Sequence, residues 1–196
     1  MDNRLVRAWH DGEMENPEPL QSRLLTSPEP SDEDIALYRG LSADAASGVA
    51  VVSTVVRGRD YAATVSGFLS VSYDPPTMLV CLYAESRIAE AVRTSGSWAL
   101  SLLGSTHQGV ANWLASPGTP LEGLLAQVPY RRGKATGAAV VDGSLTYFEV
   151  RSTAVHTAAT HLIIVGEVVA MGSIASGINA MDPLIHFGSA YRQLAQ

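Results

Sequence analysis

The chain has 196 residues, with 13 Lys and Arg against 19 Asp and Glu, a formal charge of −6. That length suits one domain with a substantial core. The charge argues against nucleic-acid binding, which requires a basic footprint. All of the excess sits early: residues 1–34 hold nine acids and three arginines, and the remainder balances at ten of each.

The single cysteine, Cys81, excludes an internal disulfide and any multi-cysteine metal cluster. It lies in the apolar run Met78–Tyr83, where a free thiol behaves as a small core residue and points to a reducing compartment. No stretch approaches the ~20 apolar residues of a membrane span. The acidic start is unlike a secretory signal. A soluble, cytoplasmic protein is expected.

In chain order, residues 1–30 carry Pro17, Pro19, Pro28 and Pro30 among acids, with little periodicity. They are expected to form a leader, either mobile or wrapped on a partner, ahead of a body at 31–196. Ser31 followed by Asp32, Glu33 and Asp34 reads as a helix cap with an acidic first turn. Ile35, Tyr38 and Leu41 give that helix an apolar side.

From Gly48 the period becomes that of strands. Gly48–Val56 is β-branched, Arg57-Gly58-Arg59-Asp60 reads as a hairpin turn, and Tyr61–Ser72 and Thr77–Ala84 follow as strands. Within 64–72, Thr64, Ser66, Phe68, Ser70 and Ser72 share one face of a continuous strand. Val65, Gly67, Leu69, Val71 and Tyr73 share the other, which is expected to pack. The hydroxyl face reads either as a solvated sheet surface or as the wall of a site for a neutral, polar-edged ligand.

Glu85–Thr94 reads as a helix stopped by Ser95-Gly96, Ser97–Leu103 as a strand and Thr106–Leu114 as a helix. Residues 115–136 read as a loop. Gly137–Val141, Ser144–His156 and His161–Ser173 read as strands, the first two joined by the turn Asp142-Gly143. Many strands with few helices predict a mainly β chain, a closed or partly open antiparallel barrel.

Several motifs fail. Arg131-Arg132-Gly133-Lys134-Ala135-Thr136 lacks the first glycine of a Walker loop and has Ala135 in place of its hydroxyl. It is read as a solvated turn. No G-x-G-x-x-G follows a strand, no G-x-S-x-G is present, and the five histidines lack metal-site spacing. No metal is expected, so redox work would require an organic cofactor. Ser86-Arg87 stands where a strand ends and a helix begins. Ser86 suits a helix cap, and with Arg87 it also suits a phosphate. His161 opens a strand and reads as structural on its own.

An ordered set of segments resembles the flavin reductase-like family over about residues 38–194. The segments are Gly48–Thr54, Thr64–Ser72 with Asp74-Pro75-Pro76, Ser86-Arg87, Trp98–Leu103, Gln108, His161–Val168, Pro183-Leu184-Ile185 and Tyr191-Arg192. The resemblance implies a split β-barrel of the FMN-binding, Greek-key antiparallel type. It implies an NAD(P)H-dependent flavin reductase that supplies reduced FAD or FMN to a partner monooxygenase. NADH or NADPH would be the co-substrate, and the subunit a homodimer.

It also implies roles: His161 beside the flavin ring and nicotinamide, with Thr64, Val65, Ser66, Ser70, Ser72, Ser86, Arg87 and Tyr191 as cofactor-binding residues. Relatives carry Gly-Asp-His where this chain has Ala159-Thr160-His161. Two other readings remain open at this stage: a flavin-binding carrier or sensor without nicotinamide turnover, and a non-catalytic interaction module.

Overall fold

The computed structural model describes residues 29–116, 123–173 and 182–194. Most of the expected leader, residues 1–28, lies outside them. By its contacts the chain divides at Arg39/Gly40 into two units. Helix α1 (Asp32–Ser42) starts as its sequence predicts. The Asp34 amide donates to Ser31 Oγ at 3.2 Å, and the Ser31 amide donates back to Asp34 Oδ2 at 3.0 Å.

The larger unit is built on a seven-stranded antiparallel sheet in the order β3-β2-β6-β9-β10-β5-β4. The strands are β2 (Ala50–Val56), β3 (Arg59–Val65), β4 (Phe68–Tyr73), β5 (Pro76–Tyr83), β6 (Ser97–Leu102), β9 (Thr146–Ala158) and β10 (His161–Gly172). Strands β1 (Ser47–Gly48), β11 (Ile185–Phe187) and β12 (Ala190–Arg192) form a small second sheet. Strands β7 (Tyr130–Arg132) and β8 (Ala139–Val141) form a third. The mainly β expectation holds. No helix among the described residues is long and apolar enough to cross a membrane.

The expected continuous strand 61–72 is two strands. β3 pairs with β2 at one end of the sheet, and β4 pairs with β5 at the other. Ser66-Gly67 alone connects them, and the three Cα steps from Val65 to Phe68 reach at most ~11 Å. The sheet must therefore curl until its two ends lie side by side. Gly67 permits this. A Cβ there would stand 3.1 Å from Cys81 Cβ, and the Cys81 amide donates to Gly67 O at 2.7 Å. The face assignment changes with the break. Leu69, Val71 and Tyr73, expected to pack, are 59%, 49% and 90% exposed.

Two cores form on the two faces of the curled sheet. One gathers Ala50, Val52, Val80, Trp98, Leu100, Val150 and Ile164 with Ile88, Ala89 and Val92 of helix α2 (Arg87–Ser95). The other gathers Val49, Val51, Leu103, Val141 and Leu184 with Ala111 and Leu114 of helix α3 (Gln108–Ala115). Strand β2 feeds both, so it is buried on both faces along Ala50–Thr54, the hydroxyls of Ser53 and Thr54 included. Full burial of each Val or Leu contributes ~1.5–3 kcal/mol.

Helix α2 stops at Gly96, whose φ of 67° lets its amide return to Val92 O at 2.9 Å.

The turn Asp142-Gly143 does not join paired strands. β8 pairs with β7 instead, while the Leu145 amide donates to Leu102 O at 2.9 Å and sends β9 onto β6. The turn between β7 and β8 holds the buried carboxylate of Glu149. Its Oε2 accepts from the Ala135 and Thr136 amides at 2.9 and 2.7 Å and from Thr136 Oγ1 at 2.8 Å. Gly133 belongs there because any Cβ would collide with that carboxylate.

Candidate functional site

Where the sheet's two ends meet, a cleft of about 650 Å³ opens between β3, the link Ser66-Gly67, β5, the start of α2, the end of α3 and the first residue of β10. Five expected residues line it: Thr64, Val65, Ser66, Ser86 and His161. Among the described residues no Asp, Glu, Lys or Arg lines it. Its size falls within the range of small-molecule sites.

Each of these side chains has a local cause. Thr64 lies near the end of β3, and its Oγ1 donates to Ala111 O at 2.8 Å, tying the strand to α3. The cleft walls Leu114 and Ala115 follow on that helix. Ser86 caps α2: its Oγ accepts from the Ala89 amide at 3.3 Å and donates to Tyr83 O at 2.6 Å. The hydroxyl is thus engaged by its own backbone, and what it adds to the cleft is an ordered helix start with outward-facing amides.

His161 pairs in register with Tyr83 on β5 and Ala158 on β9. Ala159-Thr160 makes the two-residue turn before it, with Ala159 at a φ of 49°. This is a left-handed position that suits glycine better. The imidazole Nδ1 lies 3.0 Å from Thr160 Oγ1. Its ring meets Tyr83 edge-on at 5.8 Å between centroids. The Tyr83 hydroxyl donates to Glu85 Oε2 at 3.0 Å, which raises the phenol's pKa.

Four expected residues do not line this cleft. Ser70 and Ser72 lie on β4 beyond the strand break, and Ser72 Oγ is 3.1 Å from both the amide and the carbonyl of Asp74. Arg87 lines a neighbouring cleft. Tyr191 lies on β12, packed on the second core and edge-on to His186 at 6.1 Å.

Sequence reasoning missed Tyr83, Leu114 and Ala115, and it read Cys81 only as core. Their signal is strand pairing and helix docking, which periodicity does not supply.

The lining suits a flat heterocycle with neutral polar edges. Hydroxyls and backbone groups surround it, and Gly67 offers a side-chain-free approach. Among the described residues no group of three or more His, Cys, Asp or Glu could hold a metal.

The flavin reductase like domain matches residues 42–195. The chain belongs to the flavin reductase-like family. This flavin reductase-like chain is 34% identical to a "Probable flavin reductase" of Rhizobium meliloti, over 69% of its own length and 42% of that protein's. It thus spans less than half of that relative. It is 31% identical to "FMN reductase (NADH) RutF 2" of Methylorubrum extorquens, over 87% of its length and 95% of the relative's.

Among solved structures it superposes on BorF, the flavin reductase component of a bacterial two-component tryptophan halogenase. The TM-score is 0.76 at 29% identity, covering 83% of this chain and 99% of that one. The curled sheet of this chain is the split-barrel fold.

Proposed function

We propose that the chain is an NAD(P)H-dependent flavin reductase that delivers reduced FAD or FMN to a partner monooxygenase, with the cleft beside His161 as its flavin site. The observation that carries the reading is the uncharged cleft at the junction of the sheet's ends, in a chain of this family. Flavin, when bound, supplies the ring that takes up hydride from the nicotinamide.

The chain's part is to bind, orient and exclude water. Backbone groups at 64–67 would hold the ring edge, and Gly67 leaves its face open to close approach. The α2 amides beyond Ser86 would meet the flavin phosphate. Tyr83 fixes the imidazole of His161 where it can meet the nicotinamide. Hydride transfer requires two rings at close range rather than a protein acid, so positioning dominates.

The exposed residues Leu69, Val71 and Tyr73 of β4, with Met171 at 64% exposure, suit a homodimer interface. A cytoplasmic setting accords with the free thiol.

Purified protein should consume NADH when FAD or FMN is added. Flavin binding without NADH consumption would mark a carrier instead. A protein that neither binds flavin nor consumes NADH would refute the assignment.

A further inference from the structure

A second cleft, of about 520 Å³, lies along the flank of α2 and is lined by Arg57, Arg59, Arg87, Glu90, Thr94 and Tyr61 among others. Among the described residues three arginines, two from the β2–β3 hairpin and one from α2, line it against one carboxylate. Arg87, Glu90 and Thr94 form one stripe of the helix at spacings of three and four. Arg59 and Tyr61 share a face of β3.

Asp60, between them in sequence, points the other way, where its Oδ2 accepts from Arg132 Nη2 at 2.8 Å. Among the described residues neither Arg57 nor Arg59 joins an ion pair. The strand is thus built so that its acid leaves the cleft and its bases remain.

The position of Arg57 is itself unusual. Val56 pairs with Arg59, leaving Arg57-Gly58 as a two-residue hairpin loop with φ values of 50° and 77°. That is the twist of a type I′ turn, which favours Asn, Asp or Gly at both positions. Arginine there forgoes turn stability, and a non-glycine residue held at positive φ invites a functional explanation.

The two clefts are neighbours. Ser86 borders the flavin cleft and Arg87 the second. Tyr61 lines one and Ala63 the other. They are two residues apart on the same strand face, about 7 Å. A ligand with its ring beside His161 and phosphates passing the start of α2 would enter the arginine cleft.

We propose that this cleft binds the phosphate-bearing adenylate half of a dinucleotide and so distinguishes dinucleotides from a mononucleotide such as FMN. The proposal rests on the flavin reading of the neighbouring cleft. Its chemistry is guanidinium recognition of phosphate, with Tyr61 available to an adenine ring. The adenylate half belongs either to FAD or to NADH.

The test is the double variant Arg57→Asn with Arg59→Gln in the full chain. Asn suits the turn, so the melting temperature should hold or rise. The single Arg59→Gln variant repeats the measurement with the turn unaltered. Dissociation constants for riboflavin, FMN and FAD are read from flavin fluorescence, and KM for NADH with riboflavin as acceptor.

Riboflavin and FMN should stay within about twofold, while FAD affinity or the NADH KM worsens by about tenfold, the scale of one lost charge-assisted contact. Loss confined to FAD assigns the cleft to the flavin's adenylate, and loss confined to NADH assigns it to the nicotinamide dinucleotide. FMN weakened as much as FAD, or no change beyond twofold in either dinucleotide, would overturn the proposal. Wild-type protein that binds no riboflavin would instead sink the flavin reading itself.

Discussion

Ser86 caps α2, and one pair of substitutions separates that cap from the proposed meeting of the helix start with phosphate. Its Oγ accepts from the Ala89 amide and donates to Tyr83 O, while the Ser86 amide also reaches Tyr83 O at 3.0 Å. Ser86→Ala therefore leaves that carbonyl satisfied and removes only the cap. The cost should be about 1 kcal/mol. In a domain of this size that corresponds to a melting point ~2–4 °C lower.

Ser86→Asp keeps an acceptor for the Ala89 amide and sets a negative charge at the helix start, so stability should fall no further than in the alanine variant. The same charge would repel an incoming phosphate. FMN affinity should then weaken by about tenfold or more, with riboflavin unaffected. Thermal melts and fluorescence titrations with FMN and riboflavin read the two effects independently. If Ser86→Asp binds FMN as the wild type does, the start of α2 does not meet the phosphate.

His161→Ala should lower NADH turnover more than flavin affinity in steady-state and titration assays; an equal loss in both would remove its nicotinamide role. Arg87→Ala should weaken FAD binding or raise the NADH KM well beyond any effect on FMN or riboflavin, since Arg87 lines the arginine cleft and not the cleft beside His161. Gly133→Ala should cost about 1–3 kcal/mol in urea unfolding, because the added carbon collides with the buried Glu149 carboxylate. Burial raises the Tyr191 phenol pKa, so the fold favours its neutral form. That contribution is intact below pH ~10 and fades as pH rises through the folded value. Tyr191→Phe should flatten the alkaline limb of a stability–pH curve.

Much of the architecture is legible in the sequence because its signals are local. Ser86 and Gly96 bracket α2, Ser31 starts α1, a β-branched run marks β2 and an apolar run marks β5. The failures are non-local. Residues 64–72 alternate without interruption, yet the chain passes from one end of the sheet to the other at Gly67. Alternation cannot reveal this, because both segments keep the same period. The turn Asp142-Gly143 sits between two apolar runs, but pairing of β8 with β7 is decided by contacts across the loop that precedes it.

The candidate site divides in the same way. Thr64, Val65, Ser66, Ser86 and His161 are drawn to one place from three regions of sequence. Arg131-Arg132 stands out as the basic cluster in the linear chain, but each arginine is paired with an aspartate, Arg131 with Asp142 and Arg132 with Asp60. Arg57 and Arg59 meet Arg87 only after folding, some thirty residues away in sequence.

Ser66-Gly67 is both the seam of the barrel and a wall of the cleft beside His161. Barrel closure and ligand fit are consequently set by the same two residues, and neither can be tuned alone. Lengthening the seam would let the margins of the sheet drift apart and widen the cleft in one stroke. A bulkier residue at 67 would press on Cys81 and on any bound ring together. Variation in ligand preference is more freely accommodated elsewhere, in the hairpin tip and helix flank that the closure does not depend on.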